Sequence, residues 1–168
     1  MANLYPGGDF EAGIVGTISN GNAVVSHSSA VARSGSSALL VTASAAGNWS
    51  TQTSPRITIE PSTQYRVSAW FYSAAGVRQH RIQVGEHDSG GVAGAATLGT
   101  NTTLAAGTWT QLSVTFTSAA DAASLNVLFV GLSAAAGGET FRVDDAWIEP
   151  NYALGIRRGR SRMLLGVG

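Results

Sequence analysis

The chain has no cysteine, so neither disulfide bonds nor thiolate metal sites can stabilise it. Charge is also scarce, because 12% of the residues are charged against 44% that are apolar. Solubility must therefore come from Ser, Thr, Asn and Gly rather than from ion pairs, a balance that is unusual in a cytosolic helical enzyme. No apolar run approaches the length of a membrane span, so we expect no membrane partner.

Lysine is absent as well, and all ten basic residues are arginine. We attribute this bias to codon usage in a GC-rich genome rather than to function. The length of 168 residues suits one domain with its own hydrophobic core and is too short for an ordinary two-domain enzyme.

Apolar and polar residues alternate with the period of two that is typical of half-buried β-strands. Turn-forming pairs such as Asn20-Gly21 and Gly90-Gly91 separate the alternating stretches. Many short strands without a helical stretch between them predict a sandwich of two antiparallel sheets rather than an α/β domain. The predicted strands are residues 65–72, 112–116, 125–129, 23–27, 38–43, 56–60, 79–86 and 139–149. The side chains expected in the core between the sheets are Tyr65, Val67, Phe71, Leu112, Val114, Phe116, Val127, Phe129 and Val143.

Five segments occur in an order and spacing that resemble a known family. They are Asn-Leu-Tyr-Pro-Gly-Gly-Asp-Phe-Glu-Ala-Gly at 3–13, Ser-Gly-Ser-Ser-Ala-Leu at 34–39, Tyr-Arg-Val-Ser-Ala-Trp-Phe at 65–71, Trp-Thr-Gln-Leu-Ser-Val-Thr-Phe at 109–116 and Phe-Arg-Val-Asp-Asp-Ala-Trp-Ile-Glu at 141–149. Together they resemble the galactose-binding-like β-sandwich of carbohydrate-binding module families four, nine and twenty-two. The resemblance covers about residues 3–149. It implies an all-β jelly-roll fold of two antiparallel sheets and a non-catalytic binding role.

The chain changes character after Pro150. Residues 1–150 carry six arginines against ten acids, whereas residues 151–168 carry four arginines and no acid. We therefore divide the chain into a sandwich domain, 1–150, and a C-terminal tail, 151–168, that is too apolar for a simple solvated tether. The tail residues expected to dock on a partner protein are Arg157, Arg158, Arg160, Arg162, Leu164 and Leu165. The alternatives are a tail that folds back on its own acidic domain and, less favoured, a nucleic-acid contact.

Catalysis finds little support in the sequence. The three histidines, His27, His80 and His87, sit in no nucleophile motif such as Gly-x-Ser-x-Gly. Glu86 and His87 are neighbours on a predicted strand and would point to opposite faces, which argues against a shared metal ion. Paired glycosidase carboxylates remain open, yet most acids fall in the opening segment, the closing segment or turns. We expect no enzymatic activity.

Acidic residues cluster in the opening and closing segments, and the first and last strands of this kind of sandwich lie side by side. Asp9, Glu11, Asp144 and Asp145 would then approach one another and the loop at 34–37. Oxygen ligands of this kind suit Ca²⁺, and the resembled families often hold a structural calcium at this place. The alternative is that Glu11 and Asp144 cap backbone amides while Asp145 pairs with Arg33.

Carbohydrate recognition in such modules uses aromatic rings as platforms and amide or charged side chains for the sugar hydroxyls. If Tyr65 and Phe71 face the core, Trp70 and Tyr72 project from the outer face. Trp109 and Trp147 are expected in core or sheet-edge packing. The residues predicted to bind a glycan are Trp49, Arg66, Trp70, Tyr72, Arg81, Gln83 and Asn126, with the last three sharing the face of Trp70.

Two function classes compete. The opening segment follows Met1 and Ala2 directly, which leaves no room for a secretory signal, so we expect a phage virion component made in the host cytoplasm. It would be a capsid decoration protein or a minor phage-tail protein. Residues 151–168 would dock it on the capsid or on the phage tail, and the sandwich domain would adhere to host glycans. Homo-oligomerisation stays open. The alternative is a free-standing, extracellular carbohydrate-binding module of a polysaccharide-degrading system.

Overall fold

The computed structural model describes residues 3–134 and 136–151, and the tail residues Arg157, Arg158, Arg160, Arg162, Leu164 and Leu165 lie outside that part of the chain. The described residues form an all-β fold, as the sequence predicts. Its strands are β1 (Thr17–Gly21), β2 (Ala23–Ser28), β3 (Ala38–Ala43), β4 (Gly47–Thr53), β5 (Ile57–Thr58), β6 (Gln64–Tyr72), β7 (Gln79–Asp88), β8 (Ala93–Leu98), β9 (Thr102–Thr103), β10 (Thr110–Thr117), β11 (Ala122–Ala134) and β12 (Thr140–Pro150).

Two antiparallel sheets form a sandwich. The seven-stranded sheet has the order β1-β4-β11-β7-β8, with β5 beside β11 and β9 beside β7. The five-stranded sheet has the order β10-β6-β12-β3-β2. Consecutive strands β6 and β7 therefore belong to opposite sheets, and the chain crosses the sandwich between them.

The core lies between the sheets and is rich in aromatic rings. All of the side chains that the alternation predicts as buried are buried, from Tyr65 and Phe71 to Val127 and Val143. Phe71 stacks on Phe141 at 5.8 Å and meets Phe129 edge-on at 5.6 Å. Such pairs stabilise a core by about 0.5–1.5 kcal/mol each beyond the burial of their area.

Strand β4 has no clear alternation of apolar and polar residues, because its inward positions include two threonines. Thr51 and Thr53 are buried where β4 and β11 separate. The Phe129 amide donates to the Thr51 hydroxyl at 3.3 Å, and the Val127 amide donates to the Thr53 hydroxyl at 3.0 Å. These hydroxyls satisfy two amides that would otherwise be buried without partners.

The opening segment lies beside β12, as the sequence predicts. The Leu4 amide donates to the Ile148 carbonyl at 3.0 Å, and the Ala146 amide donates to the Gly8 carbonyl at 2.8 Å. Gly8 is required here because a Cβ at this position would lie 2.1 Å from the Ala146 carbonyl oxygen.

Candidate functional site

The aromatic residues divide sharply between core and surface. All five phenylalanines, together with Tyr5, Tyr65 and Trp49, are buried. Among the described residues, the remaining aromatic side chains all lie on the outer surface of the five-stranded sheet. These residues, which we call the aromatic face, are Trp70, Tyr72, Trp109 and Trp147.

Strand alternation places the aromatic face. Because Val67, Ala69 and Phe71 point into the core, Trp70 and Tyr72 point outward from β6. Trp109 directly precedes the edge strand β10 and packs on Tyr72, with ring centroids 5.3 Å apart. This contact matches the predicted sheet-edge packing of Trp109.

Trp147 departs from its predicted place in the core or at a sheet edge. It is 39% exposed and lies on β12, a central strand of its sheet. A register shift between Asp144 and Trp147, with Asp145 at φ 46°, interrupts the pairing of β12 with β6. Such a bulge re-aims the side chains that follow it, and the strand pattern alone gives no sign of this one.

Arginines accompany the rings on this face. The Arg33 guanidinium lies 4.0 Å from the centre of the Trp70 ring and forms an ion pair with Asp145. The Arg142 guanidinium lies 5.8 Å from the centre of the Tyr72 ring. Arg66 stands opposite Glu149 across β6 and β12. Cations at such distances are attracted to the ring faces.

Three of the predicted glycan-binding residues do not share the aromatic face. Arg81 and Gln83 point outward from β7, and Asn126 lies beside Gly85 on β11, in the seven-stranded sheet. The prediction that they lie with Trp70 is wrong, because the chain crosses to the other sheet between β6 and β7.

Trp49 is not a surface platform, and that prediction is wrong as well. The side chain is 1% exposed and packs against His80 and Phe141. It fits because Gly131 lies opposite, where a Cβ would come within 2.5 Å of the indole ring. The polar residues on either side of Trp49 conceal this inward position in the sequence.

The Glu11 carboxylate accepts hydrogen bonds from the loop at 34–37. The Ser36 amide donates to its carboxylate at 3.0 Å, the Ser36 hydroxyl at 2.8 Å and the Ser37 amide at 2.9 Å. These hydrogen bonds, the Ser36 hydroxyl first, hold the pKa of Glu11 below its ordinary value. The loop therefore presents N–H groups, rather than carbonyl oxygens, to this carboxylate.

Asp144 has a similar role but is fully buried. Its carboxylate accepts the amides of Arg33 at 2.8 Å, Ser34 at 3.2 Å and Asp145 at 2.8 Å. Burial raises the pKa of Asp144, and the three amides oppose that effect. Asp145 accepts from Arg33 and from the Ser34 hydroxyl.

These contacts correspond to the capping alternative. Asp9 accepts a hydrogen bond from the Glu11 amide, at 3.4 Å. Within residues 3–134 and 136–151, no three His, Asp or Glu side chains are grouped so that they could hold a metal ion. Calcium binding by Asp9, Glu11, Asp144 and Asp145 stays a prediction.

A pocket of about 270 Å³ opens at one end of the sandwich beside Arg78, His80 and Glu139. Arg78 donates to both carboxylate oxygens of Glu139, at 2.7 and 2.9 Å. Burial lowers the pKa of His80 to about 4, so the ring is neutral near pH 7.

His27 lies away from this pocket, and its Nε2 is 2.9 Å from the Phe10 carbonyl oxygen.

A protein-family model described as a carbohydrate binding domain matches residues 2–135. The chain therefore belongs to this carbohydrate-binding family, as the resemblance in the sequence implies. Among curated proteins, none matches the chain. No helix in the described part of the chain is long and apolar enough to cross a membrane.

Solved structures share the fold at low sequence identity. The C-terminal family 22 carbohydrate-binding module of Clostridium thermocellum xylanase 10B has a TM-score of 0.70 and 20% identity, over 89% of this chain and 96% of that one. The same enzyme's CBM22-1 and GH10 modules, complexed with xylohexaose, give a TM-score of 0.70 and 15% identity over 84% of this chain, which spans only 27% of theirs. The enzymatically active domain of bacteriophage CBA120 tailspike protein 4 gives 0.62 and 14%, over 88% of this chain and 21% of that one.

Proposed function

We propose that the protein is a non-catalytic carbohydrate-binding module that holds a polysaccharide on its aromatic face. The observation that carries the proposal is the gathering of Trp70, Tyr72, Trp109 and Trp147 on one side of the sandwich. Aromatic rings at a surface offer flat apolar area that matches the apolar faces of pyranose rings. Family membership supports a glycan as the ligand.

The array is suited to an extended chain rather than to a single sugar. Tyr72 lies on β6, Trp109 directly precedes the neighbouring strand β10, and Trp70 and Trp147 lie further along the same sheet. Neighbouring strands are about 4.8 Å apart, so the rings are spread over more than one sugar unit. Because the similar modules belong to xylanase 10B, xylan is the first polysaccharide to test. The same likeness supports the alternative role, a module of a polysaccharide-degrading system.

Binding to soluble xylan, mixed-linkage glucan and mannan can be measured by titration calorimetry with variants on both faces. Tyr72→Ala and Trp109→Ala should each weaken binding about tenfold or more, which corresponds to about 1.4 kcal/mol per tenfold. Gln83→Ala, on the opposite sheet, is the matched control and should bind as the unaltered protein does. Loss of binding in Gln83→Ala alone would transfer the site to the seven-stranded sheet.

The virion role is less supported than the module role. A likeness to a phage tailspike at 14% identity shows the fold alone. The residues predicted to dock on a capsid or tail lie outside the described residues. The role therefore stays a prediction, and co-purification of the protein with phage particles would test it.

A further inference from the structure

Arg142 differs from Arg33 on the aromatic face because its charge is not balanced by an ion pair among the described residues. Arg33 is paired with Asp145, whereas Arg66 has Glu149 only as its register partner on β12 and forms no ion pair with any described residue. In the described part of the chain, no carboxylate lies within ion-pair distance of the Arg142 guanidinium. Its Nε is buried and has no hydrogen-bond partner there.

A single row across the sheet contains Arg142 and the aromatic pair. Arg142 on β12 is the register partner of Leu40 on one side and Tyr72 on the other. Tyr72 in turn contacts Trp109 at the sheet edge. Two strand spacings of about 4.8 Å place Arg142 roughly 10 Å from Trp109 across the sheet, about two sugar units along a polysaccharide.

The row combines two recognition chemistries. The rings of Tyr72 and Trp109 offer apolar contact to a pyranose. The Arg142 side chain is half-buried, and a guanidinium without an acidic partner offers N–H donors and a positive charge to one anionic group. The nearest acid along β12, Asp144, is fully buried and already accepts three amides, so it neither pairs with Arg142 nor reaches a ligand.

We infer that the aromatic face selects an acidic polysaccharide, with a uronic acid carboxylate bound by Arg142 beside the sugar that packs on Tyr72 and Trp109. The inference rests on the proposed function, because it names the class of glycan for the same face. Carboxylates accept charge-assisted hydrogen bonds from a guanidinium, which are stronger than those to hydroxyls. A neutral glycan bound at this position would cover the Arg142 guanidinium without supplying a negative charge to pair with it.

The test compares each acidic polysaccharide with its own neutral form. Glucuronoxylan and polygalacturonate are titrated against the protein at about 0.15 M salt, before and after chemical reduction of their carboxyl groups. At this ionic strength, exposed charges further apart than about 8 Å are largely screened. We expect at least one acidic polymer to bind about tenfold more tightly than its reduced form, the loss that follows from removing a hydrogen bond to a charged group.

Arg142→Gln should bring the affinity ratio of the acidic and reduced polymers close to one. Arg56→Gln, an exposed arginine away from the aromatic face, is the matched control and should keep the preference. Equal affinity of the unaltered protein for acidic and reduced polymers would overturn the inference and leave the proposed function standing. A preference that survives in Arg142→Gln, or that falls equally in Arg56→Gln, would also overturn it. Failure to bind any glycan would overturn the proposed function and the inference together.

Discussion

At the scale of single residues, two carboxylates fix one loop. Glu11 holds Ser36 and Ser37, and Asp144 holds Arg33 and Ser34. This loop carries the arginine that covers Trp70, so the carboxylates also shape the aromatic face. The sequence correctly predicts that Glu11 and Asp144 lie near the loop at 34–37. Whether the loop presents N–H groups or carbonyl oxygens to them depends on the orientation of each peptide group, which the composition does not specify.

Glu11→Gln should lower the melting temperature, because the amide is a weaker acceptor for the Ser36 and Ser37 donors and one of its two terminal groups cannot accept at all. Since the pKa of Glu11 is lowered in the folded state, its contribution is present above the ordinary value and is lost as pH falls through the folded value. Scanning calorimetry should show that the difference in melting temperature between the two proteins disappears at acidic pH.

The calcium prediction is tested by melting the unaltered protein with millimolar calcium and with a chelator. A melting temperature that rises with calcium requires an ion bound to the native state.

His80 gives the core a pH dependence of its own. Its folded pKa of about 4 lies below the ordinary 6.5, so the unfolded chain takes up a proton first as pH falls. Stability should decrease between pH 6.5 and pH 4 by up to about 3 kcal/mol, at about 1.4 kcal/mol per pH unit. In urea titrations at both pH values, His80→Phe should lose this decrease while the exposed control His27→Gln keeps it. An unchanged decrease in His80→Phe would assign the effect to other groups.

At the scale of strands, alternation predicts the strands whose two faces differ. Strands β6 and β10 follow the pattern best, and the inward residues of β6, β10 and β11 contribute the predicted core. Strands β1, β4 and β8 are missed because their polar or small residues carry no such contrast. The alternation within a strand also does not indicate which of the two sheets the strand belongs to. For this reason the sequence pattern predicts the wrong face for Arg81 and Gln83.

Thr53 shows how a polar residue can be structural in a strand. Thr53→Val keeps the shape but removes the hydroxyl that accepts the Val127 amide at 3.0 Å. The amide would remain buried without a partner, so the free energy of unfolding should fall by about 1–3 kcal/mol. Thr115→Val, at an exposed position of β10, is the control and should change it little. Equal effects in chemical denaturation would mean that the hydroxyl does not support the junction of β4 and β11.

At the scale of the whole molecule, the described sandwich ends at Asn151, the first residue of the predicted tail. The Asn151 backbone N–H donates to the Gln64 carbonyl at 2.8 Å, and its side-chain amide donates to the Gln64 side-chain oxygen at 2.7 Å. A protein that stops after Asn151 should therefore keep its melting temperature within a few degrees, because the core is complete. It should also keep glycan affinity. A large loss of stability would favour the alternative in which the tail folds back on the domain.

The central claim is that a glycan lies on the aromatic face, and the four indole N–H groups report on it directly. Three belong to the face, Trp70, Trp109 and Trp147, and the fourth, Trp49, is buried in the core. In a nitrogen-proton NMR titration with acidic xylan fragments, the indole signals of Trp109 and Trp147 should shift, while those of Trp49 and the Gln83 side-chain amide stay in place. Shifts at Gln83 and Asn126 with unmoved Trp109 and Trp147 signals would contradict the account.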